Sequence, residues 1–264
     1  MIRILAILCI RDEAIHMRRC LDHLVASHLD VFLIDNGSSD GSRGIASEYL
    51  GNGVVAIEEL AWGGTFSLSD QLNAKRRIAA DCDYDWIVHV DADEWLCPPN
   101  KGQSLHDAIA QADAAGYNCI NFHEIVFVPL PDEDFFQPHY ELEMRHYYFY
   151  QPRYPRLQRA WKRCSGLDST LTGGHLLAGS DLKLYPTDFF LRHYIALSER
   201  HARAKYVART FSSVDLDKGW HANRLAIRPE NLRVKSVPGL WRMKDPMDTD
   251  FNLSIPMNRH FWAW

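Results

Sequence analysis

The chain of 264 residues predicts an α/β fold with a Rossmann-like, mostly parallel central sheet flanked by helices and a C-terminal helical extension. Short apolar runs alternate with stretches whose apolar residues recur at helical spacing. The links between them are rich in Gly, Ser and Asp, and carboxylates gather just after several of the runs. With 47% hydrophobic residues the sequence can bury a full core as one domain, 1–264.

The elements follow in order. Ile2 to Ile10 is nearly continuous in apolar residues and reads as the first strand. Starting from Met1 it is too short, and too closely followed by Arg11-Asp12-Glu13, for a signal peptide. Met17, Cys20, Leu21, Leu24 and Val25 then mark an amphipathic helix. Val31 to Ile34 is a second buried strand, closed by the turn-rich Asp35-Asn-Gly-Ser-Ser-Asp40-Gly-Ser42 before a helix from Ser42 to Leu50. Val54 to Ile57 makes a third strand. Trp62-Gly-Gly-Thr65 breaks the chain ahead of a helix from about Leu68 to Ala80, and Trp86 to Val90 is the fourth strand. Short links between alternating strands and helices imply right-handed crossovers, so residues 12, 13, 35, 40, 91 and 93 come to one edge of the sheet.

Asp91-Ala-Asp93-Glu94 is the densest of these acidic clusters. In an extended chain Asp91 and Asp93 point the same way, and two aligned carboxylates suit a hard cation such as Mg²⁺ or Mn²⁺. The alternative is a chance triplet. An EF-hand reading fails, because Trp95 and Leu96 stand where an oxygen ligand and Gly are needed.

Three motifs in this order, Arg11-Asp12-Glu13, Ile34 to Ser42 and Val90 to Glu94, resemble the nucleotide-sugar half of family-2-type glycosyltransferases with the GT-A fold; Asp12 stands where that family has Asn. The resemblance divides the chain into a nucleotide-sugar half (1–100), an acceptor and metal half (101–200) and a C-terminal extension (201–264). It implies a nucleoside diphosphate sugar donor, UDP-sugar first, with Mn²⁺ or Mg²⁺. It places Arg11, Glu13, Asp35, Asp40 and Asp91 around base and ribose, and Asp91 and Asp93 on the metal. Local roles compete with some of these: Glu13 can favour a helix N-terminus and Asp40 can cap a turn. A histidine beyond the Asp-x-Asp motif completes the metal site in such enzymes; Phe189 to Ile195 is similar to that segment, which selects His193 before His175. A core histidine is the alternative for both.

The second half is read from its residues. Ser104 caps a helix over Leu105 to Ala115, closed by Gly116, and Cys119 to Val128 is a strand. Glu124, among apolar residues there, either pairs with a cation or opens into the site. Arg145 to Tyr150 and Arg153 to Arg163 mix aromatic and basic residues; they suit a diphosphate, with Lys162 among the cations, or an edge strand with a solvated face. Ser198 opens a helix to Phe211 with His201 and Lys205 one turn apart. From Lys218 to Lys244 seven basic residues face one acid, Glu230, which suits phosphate or a membrane surface; Phe261 to Trp264 docks on the domain or rests at an interface.

The expected activity is metal-dependent, inverting transfer of a sugar to a hydroxyl on a glycan, glycolipid or protein, in glycan or polysaccharide biosynthesis. Glu124, its pKa raised by apolar neighbours, is the expected base, with Asp134 and Asp168 in reserve. A sugar nucleotidyltransferase and a catalytically silent carbohydrate-binding protein of the same fold are the alternatives, and retention is a mechanistic one. A net charge of −5 argues against nucleic acid as a partner. Scattered cysteines without a Cys-x-x-Cys pair fit buried, reduced thiols, and with no span-length apolar run the expectation is a cytoplasmic protein, peripheral at most on the inner face of the membrane. The oligomeric state is left open.

Overall fold

The computed structural model describes residues 2–207 and 209–264. In chain order the first half comprises β1 (Ile4–Ile10), α1 (Ala14–Ala26), β2 (Asp30–Asp35), α2 (Ser42–Ser47), β3 (Val54–Glu59), α3 (Leu68–Asp81), β4 (Trp86–Val90), β5 (Glu94–Cys97) and α4 (Leu105–Ala114). The second half comprises β6 (Cys119–Phe127), β7 (His146–Tyr150), β8 (Leu157–Lys162), β9 (Phe189–His193), α5 (Glu199–Tyr206), α6 (Ser213–Asp217), α7 (Ala222–Leu225) and β10 (Trp241–Arg242). Among the described residues these strands build a ten-stranded sheet in the order β10-β7-β6-β8-β4-β1-β2-β3, with β9 joined to β6 and β5 joined to β9.

Pairing is parallel from β4 through β1 and β2 to β3, as helical crossovers require. Beyond β4 the sheet turns mixed: β8 runs antiparallel to β4 and β6, whereas β9 runs parallel to β6. That change of direction matters for the site, because an antiparallel strand delivers its N-terminal rather than its C-terminal end to the edge where the first four strands finish.

All seven residues of β1 are buried, as expected of a strand covered on both faces. Ile4, Ala6, Leu8 and Ile10 pack with Met17, Cys20, Leu21 and Leu24 of α1, while Leu5, Ile7 and Cys9 pack with Ile78 and Ala79 of α3. The period of two in the strand thus meets a helix on each side. Gly53 shows how closely the layers approach: at φ +101, a Cβ there would lie 2.2 Å from Val25 Cγ2.

Several boundaries differ from the sequence expectation. The helix expected from Ser42 to Leu50 stops after Ser47, and Leu50 forms an isolated bridge to Val54. The helix expected from Ser198 to Phe211 ends at Tyr206; Ala208, like Met1, lies outside the described residues, and Phe211 bridges to Phe66. β5 has no sequence counterpart. It forms because the chain after Asp93 turns back along β9, pairing Glu94 with His193. Cys164 is exposed rather than buried.

Trp262 is buried with Phe261 against Tyr148 and Tyr206, so this aromatic segment docks on the domain. No helix among the described residues is long and apolar enough to cross a membrane.

Candidate active site

A single cleft of about 1330 Å³ lies along the C-terminal edge of β1 and β4 and continues over the start of β8. This exceeds the roughly 300–1,000 Å³ of an ordinary small-molecule pocket, leaving room for two reactants.

One end is built by the loops after β1 and β2. Asp12, held at φ 54, accepts from Ser39 N–H at 2.6 Å, and its own N–H donates to Ser38 Oγ at 3.1 Å. Glu13 N–H donates to Ser42 Oγ at 2.8 Å, and Asp40 accepts the Ala14 N–H at 2.9 Å, so Asp40 both lines the cleft and caps α1. Burial alone would raise the Asp40 carboxyl, but bonds from Ser42 and the Ala14 N–H bring it below its ordinary value. Arg11 donates to the carbonyls of Asn36 and Gly37 at 2.9 and 2.5 Å, and its guanidinium lies 3.7 Å from the centre of a Trp62 ring. Together they offer a flat face for a planar ligand. Asp35 does not join them. It is buried, absent from the cleft lining, and accepts from Ser38 N–H at 3.0 Å, so it shapes the turn beneath the pocket.

The centre holds the acidic cluster, and its two aspartates serve different partners. Asp91 faces Arg159 at 3.2 Å, His89 at 3.6 Å and Lys75 at 3.7 Å. Asp93 faces Lys205 at 2.5 Å and His193 at 3.3 Å. Burial would raise both carboxyls, but Lys75 and Arg159 hold Asp91, and Lys205 and His193 hold Asp93, well below the usual range. Glu94 accepts the Asp91 N–H at 3.1 Å and meets Arg159 at 2.6 Å; burial nevertheless pushes it up to about 7, as it does the Glu13 carboxyl.

His193 bridges two carboxylates, Nε2 to Asp93 and, at 2.8 Å, Nδ1 to Glu124. Burial disfavours its charge, but the two acids outweigh this and raise its pKa well above the ordinary value. Glu124 also meets Arg156 at 3.3 Å. The expectation of a raised pKa at Glu124 is therefore corrected: burial is outweighed by Arg156 and His193, which hold its carboxyl far below the ordinary value. A carboxylate so stabilised is a weak base.

The other expected site residues lie outside the cleft lining. Asp134 is exposed, accepting from Phe136 N–H at 2.9 Å and facing Arg200 at 3.6 Å. Asp168 accepts from Thr170 N–H and Oγ1, both at 2.7 Å. Lys162 pairs with Asp113 at 2.7 Å, because β8 runs against β4 and sets Lys162 opposite Trp86, at the start of β4. Arg153, Arg156 and Arg159, earlier along the same stretch, are the cations that reach the cleft.

Lys205, Arg209, Arg224, Trp220 and His260 also line the cleft, all from the C-terminal extension. The 201/205 helical pair is the sequence signal for Lys205 and the basic excess between 218 and 244 that for Arg224; Arg209 and His260 have none. Gly174 lets the turn before His175 sit against β4: at φ +76, a Cβ there would lie 2.9 Å from His89 Cε1.

Among the described residues no group of three or more His, Cys, Asp or Glu side chains gathers as a metal site. Asp93 and His193 stand 3.3 Å apart, with Asp93 paired to Lys205 and the charged form of His193 favoured by two acids, so a cation held by this pair would displace Lys205 and the His193 proton. Asp91 faces Arg159 and Lys75 in the same way.

Comparison with known proteins adds the following. Residues 6–162 match the family described as Glycosyl transferase family 2. No curated protein sequence matches the chain. Among solved structures, the chain is similar to S. aureus TarS at 12% identity and TM-score 0.47, covering 81% of this chain and 41% of that one. It is similar to TarS 1-349 in complex with UDP at 12% identity and TM-score 0.43, covering 88% and 75%. The glucosyl-3-phosphoglycerate synthase of Mycobacterium tuberculosis, in complex with Mn²⁺, UDP and glucosyl-3-phosphoglycerate, gives 14% identity and TM-score 0.31 over 47% of this chain and 44% of that one. The chain thus spans less than half the length of the full TarS chain.

Proposed function

The chain belongs to glycosyl transferase family 2, and from that premise we propose that it transfers a sugar, with inversion, from a nucleoside diphosphate sugar to a hydroxyl acceptor. The observation that carries this reading is the run Glu124–His193–Asp93–Lys205, set in one cleft beside the Arg11–Trp62 face. The Arg11–Trp62 face, with Glu13 and Asp40, receives the base and ribose of the donor, UDP first, and Asp91 borders the ribose. Lys205 and Arg209 meet the diphosphate as its charge grows on departure. A divalent cation held by Asp93 and His193 would add to that charge stabilisation. Glu124 holds the His193 ring in orientation, in the manner of an outer carboxylate behind a ligating histidine.

Inversion requires proton removal on the side away from the diphosphate. Among the imidazoles that line the cleft are His175 and His260; burial lowers the pKa of both, that of His260 to about 3, so each is neutral but, like Glu124, weakly basic. They join Glu124 as the proton acceptors to test. The acceptor itself, and any loose contact with a membrane, belong to the same proposal.

The test is nucleoside diphosphate release from a panel of nucleotide sugars with Mn²⁺, Mg²⁺ or EDTA. Release from one donor, reduced at least about a hundredfold by Asp93→Asn, is the expected outcome. Release unchanged by that substitution would remove Asp93 from the mechanism, and release unchanged by EDTA would remove the cation.

A further inference from the structure

The cations of the cleft are not evenly matched by acids. Four of them have acidic partners: Arg11 faces Asp12 at 3.7 Å, Lys75 of α3 and Arg159 of β8 face Asp91, and Lys205 of α5 faces Asp93, whereas Arg209 has no ion pair among the described residues. In the connection between β7 and β8 the balance reverses. Arg153 and Arg156 lie in the connection 151–156 between those strands, and Arg224 reaches the same cleft from α7. Among the described residues no carboxylate pairs with Arg153 or Arg224. Glu124, which meets Arg156, is already shared with His193, and Arg156 Nε is buried without a hydrogen-bond partner.

This unmatched group lies to one side of the nucleotide end. Arg156 immediately precedes β8, and β8 is separated from β1 by β4, two spacings of about 4.8 Å or roughly 10 Å. The Asp93–His193 centre borders this group, since Glu124 meets both Arg156 and His193. Burial and the neighbouring Arg156 and Arg159 keep His175 neutral, and Arg156 and Arg224 also press on His260, with Glu124 acting against them at both rings. Arg156 lies 5.3 Å from the Tyr150 ring centre, which adds an aromatic face for a sugar or polyol.

We propose that Arg153, Arg156 and Arg224 form an anion subsite in the acceptor half of the cleft, so that the hydroxyl acceptor carries a phosphate or carboxylate. A guanidinium fork matches either group in bidentate fashion, and an exchanged anion would replace the water these side chains lose. The proposal rests on the glycosyltransferase reading for the word acceptor; the anion subsite itself can be measured without it.

The experiment is calorimetric titration of the full chain, free and saturated with UDP, with glucose 6-phosphate, glucuronate and glucose as probes. In the UDP-filled protein the anionic probes are expected to bind at least roughly tenfold more tightly than glucose. Arg224→Gln and Arg153→Gln should each remove about tenfold of that preference while leaving UDP affinity within about twofold. The phosphate and carboxylate arms distinguish the two anion types. Equal binding of glucose and the anions would overturn the proposal, and so would displacement of the anions by UDP, which would assign the arginines to the donor diphosphate. If UDP fails to bind, the donor reading falls, whereas the anion preference of the free protein still stands or fails by its own titration.

Discussion

Asp93 receives two cations on one oxygen, Lys205 and His193, in a site where the Lys205 side chain is 10% exposed. Replacing Lys205 by Met leaves a buried carboxylate short of its nearest partner, expected to cost about 3 kcal/mol. Thermal unfolding should therefore shift down by roughly 6–12 °C, with much of the loss recovered when Asp93→Asn is added. A shift of the same size in both variants would show that the ion pair is not the source. At this scale the sequence was partly legible. Two aspartates after a buried strand mark a site because three carboxylates in four residues need partners. Glu124 likewise announces a cation partner, but not which one, and Arg156 inverts the expected direction of its pKa. His175→Ala and His260→Ala separate the two imidazoles: the variant of the true proton acceptor should lose roughly a hundredfold in transfer rate with unchanged UDP affinity.

Among the elements, α3 depends on a cap from far along the chain. Asp215 of α6 accepts from Leu68 N–H at 2.6 Å, Ser69 N–H at 3.0 Å and Ser69 Oγ at 2.5 Å. Burial would raise its carboxyl, but these bonds outweigh it and lower the folded pKa below 3.8. The sign follows: a lowered carboxylate pKa stabilises the fold above its unfolded value and that contribution is lost as pH falls through the folded one. Asp215→Asn should cost about 1–2 kcal/mol near pH 7 and flatten the fall in melting temperature below about pH 4. An equally steep acid decline in the variant would place the titration elsewhere. Ser67, Ser104, Ser198 and Ser212 each accept a hydrogen bond from the N–H three residues on, a cap that local sequence reveals. Asp215 could not be found that way, since its partners are neighbours only after folding.

For the whole molecule, the C-terminal extension is tied across the cleft to the loop after β3. Phe66 N–H donates to the Thr210 carbonyl at 2.9 Å and Ser212 N–H donates to the Phe66 carbonyl at 2.8 Å, while His221 stacks on Phe211 with centroids 4.4 Å apart. Trp62, Phe66, Arg209 and Trp220 consequently border one opening. UDP is expected to slow amide exchange in residues 61–66 and 209–221 together, as one cooperative unit. Protection confined to the loops after β1 and β2 would show that the extension takes no part in donor binding.

What the sequence determined by itself was the alternation of strands and helices in the first ninety residues, and with it the edge on which Asp12, Glu13, Asp40, Asp91 and Asp93 meet. Periodicity is local, and right-handed crossovers turn local order into a common edge. What the tertiary structure alone decided was which charges pair there. The antiparallel course of β8 brings Arg159 to Asp91 and carries Lys162 to the far side, the pairing of β5 with β9 brings His193 to Asp93, and α5 adds Lys205. Those partners are remote in sequence, and a buried carboxylate demands a cation without specifying its position in the chain.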